Sequence, residues 1–393
     1  MPQLEYLDAN NPIHRVNPQI LSKLVSAQWD LLDKEYKTGI SVINRVCADL
    51  GLKALKMPSK YASLSAQKFA NQNFSSLNSV FREILEFNGI ASTAIVTQAF
   101  QMAFRSQLLL AFHDPDTAVN AVKTKIVSVI NDFPRSMADL ECGRNKGDVL
   151  DPYILAAAQI LLFCGEFSLA INSVISHKAI MIIEGLMGHL HEDVIGMMRG
   201  NVRVPEPRGE DQEKIDYISN PFPGADMLQP PTKPGQRLRF HQIKSKTGSA
   251  KGGDGKRLGQ QLAFLQDHYH GDIYYHALIG NTLRGHRSKT GVEKAAPNVI
   301  VLVGDASFKE LTRTVVGPEL LLRLYQASFM EASKESGYNL DTISKSIIKA
   351  FVDRAGKEGE SFLENILYHA TSGPVEEQDN RVFNKIGHRA RAK

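Results

Sequence analysis

Three polar side chains in this sequence stand at spacings that suit hydrolysis of a phosphodiester. Asp226 follows a Pro-Gly pair in a short apolar window, PFPGADML. Gln242 comes sixteen residues later, and Lys244 two residues after that, in RLRFHQIK at 237–244. The alternation of that run predicts a strand. Residues at i and i+2 of a strand share a face, so Gln242 and Lys244 project together. If Asp226 lies on or beside the preceding strand and the two segments pair as a hairpin, all three side chains converge. Asp226 then offers Mg²⁺ an anionic oxygen, Gln242 an amide oxygen and the backbone carbonyl of Ile243 a third. Such hard oxygen ligands leave positions for water and phosphate. Lys244 polarises the attacking water and stabilises charge on the phosphate. A D…QxK pattern alone is short, and it also describes a half-buried strand with a polar face.

The surroundings add to it. From 233 to 257 there are eight Lys and Arg residues against Asp254, a local charge of +7 where the whole chain carries +4. A groove that tracks phosphates needs such a concentration of charge. The Gly-rich loop KTGSAKGGDGK, 246–256, follows the strand directly. Its free backbone N–H groups can approach phosphates closely. Lys246, Ser249, Lys251, Lys256 and Arg257 are the DNA-contacting candidates here, and Arg284 and Arg287 in the basic run RGHRSKTG, 284–291, are a second set.

The order helix, hairpin, QxK strand, helix, strand resembles the PD-(D/E)xK nuclease superfamily, and type II restriction endonucleases in particular. The resemblance covers roughly 180–304, under a third of the chain. It implies that Asp226, in PGAD, matches the family's first acid, and that Gln242 and Lys244 match its second acid and its lysine. Glu184, in IMIIEGLMGHL, matches the Glu that a helix ahead of the hairpin often supplies. Gln242 departs from the Asp or Glu of the pattern and removes one negative charge from the metal site; QxK strands occur among restriction enzymes of the methyl-directed type. The resemblance implies Mg²⁺-dependent, site-specific cleavage of double-stranded DNA by in-line attack of water, with Mn²⁺ able to substitute for Mg²⁺. A palindromic target favours a homodimer, because two-fold protein symmetry mirrors site symmetry. Two other readings stand beside this one. One is a nuclease of the same fold acting on methylated, branched or damaged DNA, although no base-reading pocket is marked in the sequence. The other is a DNA-binding protein with a decayed site.

Competing motifs are weaker. GGDGKR does not complete a phosphate-binding loop of the nucleotide hydrolases: the first Gly of GxxxxGK is Ala250 and Arg257 stands where Ser or Thr belongs, so no nucleotide cofactor is expected. His189, His191 and Glu192 in HLHED, and His268 with His270, lack zinc-site spacing and read as helix-surface residues. Glu184, flanked by Ile182, Ile183, Leu186 and Met187, must be paired or face a polar cleft, and a pair with Lys178 or a solvent-facing position serves as well as catalysis.

The elements that must position these groups read as an α/β fold: a mixed-sheet core of the PD-(D/E)xK type with a large N-terminal helical region and C-terminal helices. Helices are predicted over 92–112, 117–132, 152–164, 168–198 and 256–268. The helix 168–198 is read as one or as two joined near His177. The apolar helix 152–164 is expected to be buried. Pro-rich 200–236 excludes helix and leaves loops with short strands. Strands are predicted at 237–244, 272–283 and 298–304, and one of Tyr274 and Tyr275 is expected in the core. Asp341 is read as the cap of a helix that stops near Gly356. The division expected is 1–175 as a helical clamp and dimerisation region, 176–310 as the catalytic core and 311–393 as a helical region with a basic tail. With 393 residues, 43% apolar and 22% charged, the chain is globular. The apolar runs 154–164 and 179–187 are short for a membrane span, so no membrane is expected. Three scattered cysteines, Cys47, Cys142 and Cys164, read as free thiols in a reducing cytoplasm. The N-terminus has neither the basic start nor the apolar stretch of a signal peptide.

Neutralising Lys251, Lys256 and Arg257 together should weaken binding to all DNA sequences alike and lower the slope of log affinity against log salt by roughly one unit per lost contact. A salt titration of the triple variant checks this, and an unmoved slope places the groove elsewhere.

Overall fold

The computed structural model describes residues 11–16, 18–62, 64–132, 151–205, 220–233, 235–246, 254–280, 287–336 and 340–371. Its longer elements, in chain order, begin with five helices: α1 (Pro18–Trp29), α2 (Gly39–Asp49), α3 (Phe74–Phe87), α4 (Ser92–Ala111) and α5 (Pro115–Asp132). After α6 (Pro152–Ala157) and a π-turn (Ala158–Leu162) comes α7 (Phe167–Gly196). The sheet region follows: β1 (Val202–Arg203), β2 (Met227–Gln229), β3 (Arg239–Lys246), α8 (Asp254–Tyr269), β4 (Asp272–Ile279), α9 (Arg287–Ala295) and β5 (Ile300–Val303). Four helices close the described chain: α10 (Asp305–Thr312), α11 (Gly317–Ser336), α12 (Leu340–Glu358) and α13 (Phe362–Thr371). The chain is thus α/β, with a large N-terminal helical region, a five-stranded mixed sheet and C-terminal helices.

Two compact units divide these elements. One comprises Met1–Lys123 and Met187–Phe329, the other Thr124–Leu186 and Met330–Lys393. The first unit holds two apolar cores. Leucine, valine and phenylalanine side chains of α2, α3 and α4 build one, with Phe69 and Phe81 edge to face at 5.7 Å. The other lies on the sheet. The strands run in the order β1-β2-β3-β4-β5, antiparallel across the first three and parallel from β3 to β5. Parallel neighbours need crossovers, and α8 and α9 supply them. Leu258, Leu262 and Leu265 of α8 bury one stripe against Phe240, Tyr275 and Ala277. Tyr275 is therefore the core tyrosine of the pair.

Close packing of α8 on α9 depends on glycine. A Cβ at Gly255 would come within 2.4 Å of the Ser288 carbonyl, and one at Gly259 within 2.8 Å of the Val292 carbonyl. One glycine of the run expected to approach phosphates is therefore needed for helix contact. The run is also shorter as a loop than expected, because Lys246 ends β3 and Asp254 begins α8. The stretch 284–291 is not wholly a loop: Arg287 opens α9, whose Val292 supplies an anchor on the sheet core. Asp341 lies inside α12 rather than ahead of it.

Arg199, just after α7, ties the helical layer of this unit together. Its side chain is buried, and it donates to Asp30 at 2.6 Å, to Glu35 at 2.7 Å and to the Leu109 carbonyl at 2.9 Å. Three acceptors satisfy the fork of a guanidinium that would be costly to bury alone.

In the second unit Leu155, Ile171, Ile175, Phe351, Phe362 and Ile366 form the core. The helix 168–198 is continuous, without a break at His177, and as α7 it is long and apolar enough to cross a membrane by length and composition. The burial expected for 152–164 holds on one side alone: Tyr153, Ile154, Ile160, Leu161 and Leu162 are exposed, while Leu155 and Ala158 enter the core and Phe163 packs against it. A helix that is apolar all round satisfies the sequence pattern of a buried one while turning one side outward.

His191, near the C-terminal end of α7, packs edge to face on Tyr325 with Nδ1 3.1 Å from the hydroxyl. Burial pushes its pKa down to about 4. The folded state therefore keeps the ring neutral where the unfolded chain takes up a proton. The stability this adds is present above pH 6.5 and is lost as pH falls from there towards 4. His191→Gln should flatten the acid limb of the stability curve by about 3 kcal/mol or less. Urea unfolding at pH 7 and pH 4.5 measures it, and parallel curves for the two proteins would refute the assignment.

Candidate functional site

The expected hairpin is present. β2 pairs antiparallel with β3 through Met227↔His241, Leu228↔Phe240 and Gln229↔Arg239. Asp226 stands one residue outside β2. The turn that delivers it, PFPG, is held from both sides: Phe222 is buried among Phe240 and Tyr269, and the Tyr269 hydroxyl donates to the Pro221 carbonyl at 2.8 Å. Gly224 has φ +76°, which L side chains rarely adopt, so the turn needs glycine there.

At Asp226 the backbone ladder gives way to a side chain. The Asp226 N–H still donates to the His241 carbonyl at 2.8 Å. The next donor on β3, the Ile243 N–H, goes to Asp226 Oδ2 at 2.6 Å. Gln242 Nε2 donates to the same oxygen at 2.5 Å and lies 3.3 Å from the Ile243 carbonyl oxygen. The Asp226 carboxylate, the Gln242 amide and the Ile243 carbonyl therefore meet at one point, and of the three side chains expected to converge Asp226 and Gln242 are hydrogen-bonded. Gln242 is buried and Lys244 half-buried. The two share the strand face that carries Phe240, and Lys244 lies opposite Ala277 of β4 in register. No carboxylate pairs with Lys244 among the described residues.

Supporting residues escaped the sequence reading. Arg203 of β1 donates through Nη1 to the Asp226 carbonyl at 2.7 Å, through Nη2 to Glu192 at 2.7 Å and through Nε to Asp193 at 3.1 Å. Loss of solvent lowers its pKa, but the charges of Asp226, Glu192 and Asp193 outweigh that and hold it above the ordinary value. The acids of HLHED thus serve an ion-pair network, and His191 of the same motif binds a tyrosine. On the opposite face of β3 and β4, His241 Nδ1 lies 3.0 Å from His276 Nε2, and both rings are fully buried. Burial drives both strongly towards the neutral form, His276 to about 3. Two histidines on one internal strand face could have been marked by their alternation with Gln242 and Ala277, since polar residues on both faces of a strand signal more than one polar layer.

The other expected residues are placed as follows. Glu184 is exposed on α7, in the part of that helix that belongs to the second unit. Lys256 and Arg257 are exposed in the first turns of α8. The backbone of Lys246 pairs with Ile279, and Arg287 opens α9. Ser249, Lys251 and Arg284 lie outside the described residues.

The donor set suits a hard cation. Asp226 Oδ2 and the Ile243 carbonyl both lie within reach of the one Gln242 nitrogen, so a third party with positive character already sits between them. Rotation of the Gln242 amide by half a turn exchanges its nitrogen for its oxygen at that point. No cluster of three or more His, Cys, Asp or Glu residues occurs among the described residues, so the set holds one formal anion. Metal affinity rises with ligand charge. Wild-type protein should accordingly bind Mg²⁺ only in the millimolar range, as an order of magnitude, and Mn²⁺ more tightly. Gln242→Glu should tighten binding about tenfold, and Asp226→Asn should abolish it. Calorimetric titration with both ions checks the series, and unchanged binding by Asp226→Asn would remove the metal from this place. Comparison with protein-family models and with curated proteins finds no match to this chain.

Proposed function

We propose that this protein is a Mg²⁺-dependent deoxyribonuclease of the restriction-endonuclease type, cutting double-stranded DNA at a specific site. The observation that carries the reading is the meeting of Asp226, Gln242 and the Ile243 carbonyl at the end of the β2–β3 hairpin, with Lys244 two residues on along the same face. Asp226 and the two neutral oxygens would hold the ion. Bound Mg²⁺ would supply Lewis acidity towards the phosphate and the attacking water. Lys244 carries its charge at a half-buried position beside this point, where solvent screens it less than at an exposed one, and it stabilises charge developing on the phosphate. Lys256 and Arg257 at the exposed start of α8 add phosphate contacts that position the duplex without reading its sequence.

A second reading, a DNA-binding protein that does not cut, is favoured by one observation. The Gln242 amide already satisfies Asp226 Oδ2 without any metal. Cleavage of supercoiled plasmid separates the two. The nuclease yields discrete fragments with Mg²⁺ and none with chelator, whereas the binder retards DNA and leaves it intact. Lys244→Ala should lower the cleavage rate by about 100-fold or more while DNA affinity stays within a few-fold. Undiminished cleavage by that variant would overturn the site assignment.

A further inference from the structure

The first unit holds an open cavity of about 740 Å³ between α1, the chain just after α7 and β1. Small-molecule sites fall between roughly 300 and 1,000 Å³. Trp29, the sole tryptophan of the chain, ends α1 and lines this cavity 47% exposed, which leaves indole surface for a flat ring to stack on. Asp30, the next residue, lines it too, with about a quarter of its side chain exposed. Its Oδ1 accepts from buried Arg199 at 2.6 Å, and its Oδ2 takes no hydrogen bond from the described residues. Glu35 beside it is already engaged: Arg199 donates to its Oε2 at 2.7 Å, and His113 Nδ1 lies 3.2 Å from the same oxygen. Lys23 and Lys34 stand at the exposed rim, and neither pairs with a carboxylate among the described residues. Lys34 Nζ lies 6.0 Å from the centre of the Trp29 ring.

This lining selects its ligand. A carboxylate that faces a guanidinium only accepts hydrogen bonds. Asp30, pinned by Arg199, therefore matches two adjacent donors, one for Oδ2 and one for the lone pair left on Oδ1. Among the nucleobases guanine alone presents a ring N–H and an amino group side by side. Adenine and cytosine place an acceptor next to the amino group, and thymine sets its ring N–H between two carbonyls. Indole stacking by itself tolerates any base. Two lysines without acidic partners favour an anion, and phosphate is the anion a nucleotide carries. A cationic ligand fits less well, because Lys34 already stands near the indole. An apolar ligand would cover Asp30 Oδ2 without giving it a donor.

We infer that this cavity binds a guanine nucleotide, with the base stacked on Trp29, its ring N–H and amino group donated to Asp30, and its phosphate held by Lys23 and Lys34. Arg203 lines the same cavity while it donates to the Asp226 carbonyl at 2.7 Å, so the ligand sits one side chain away from the end of the β2–β3 hairpin. The inference goes beyond the nuclease reading and does not rest on it. Free guanosine monophosphate and an unpaired guanosine in DNA share the chemistry. Because Trp29 is the sole tryptophan, its emission reports on the cavity. In titrations of the full chain with chelator present, guanosine monophosphate should quench that emission saturably. It should bind at least ~10-fold more tightly than adenosine monophosphate or inosine monophosphate, which lacks the amino group. Lys23→Ala should weaken the monophosphate several-fold and leave guanosine unchanged. Asp30→Asn should cancel the preference for guanine over adenine. The inosine comparison on the unaltered protein makes the same test if that variant does not fold. A duplex with one unpaired guanosine, adenosine or inosine, set against the fully paired duplex, separates the sources. Quenching by the free nucleotide assigns the site to a soluble ligand, and quenching by the unpaired guanosine alone assigns it to DNA. The free-nucleotide titration involves neither DNA nor metal, so its outcome is separate from that of cleavage. Three results would overturn the inference: equal affinity across the base series, a guanine preference that survives Asp30→Asn, or no quenching by the free nucleotide together with no difference between unpaired and paired duplex.

Discussion

The bond from the Ile243 N–H to the Asp226 carboxylate organises the end of the β2–β3 hairpin. β2 is three residues long, and one further backbone bond, from Asp226 to His241, carries the pairing beyond it. In an antiparallel pair the N–H and C=O of one residue face the same neighbour. Once β2 ends, both groups of Ile243 are turned towards Asp226 with no strand to receive them. The carboxylate takes the N–H, and the Gln242 amide bridges from that carboxylate to the C=O. A ladder that stops one residue early thus assembles an anionic oxygen, a neutral carbonyl and an amide at a single point. A longer β2 would have consumed the same groups in ordinary pairing.

That arrangement is held from both sides. Arg203 grips the Asp226 carbonyl while its other nitrogens reach Glu192 and Asp193, so the end of α7 and the start of β2 share one guanidinium. Beneath β3 the His241–His276 contact joins the central strands by side chains as well as by backbone. The rings are buried and neutral, so the charge near Gln242 comes from Asp226, Arg203 and Lys244. With one carboxylate in the donor set, the proposed binding of a cation depends on how rigidly these neighbours hold it.

The second unit follows a different constraint. Its helices bury one side of α7 among phenylalanines of α12 and α13 and leave apolar residues on the other. Apolar area exposed to water is unfavourable by roughly 25 cal/mol per Å².

The sequence by itself determined the elements that depend on local periodicity and turn chemistry: α4, α5, α7, α8 and the central strands. It also determined the pairing of Asp226 with the QxK strand, because a two-residue period and a Pro-Gly turn leave little choice of register. Gln242 and Ile243 were legible as partners of Asp226 for that reason. What the sequence could not carry was which side of an apolar helix faces a core. The run 152–164 has the same composition whether buried or exposed, and only its packing shows Leu155 inward and Leu161 outward. Nor could spacing find Arg203, whose four acceptors come from the end of α7, from the residue after β1 and from the residue before β2. Gly255 read as a residue that frees backbone for phosphate, and the tertiary structure uses it to let α9 approach α8. In each case the deciding contact joins residues distant in the chain, and no periodicity encodes such a contact.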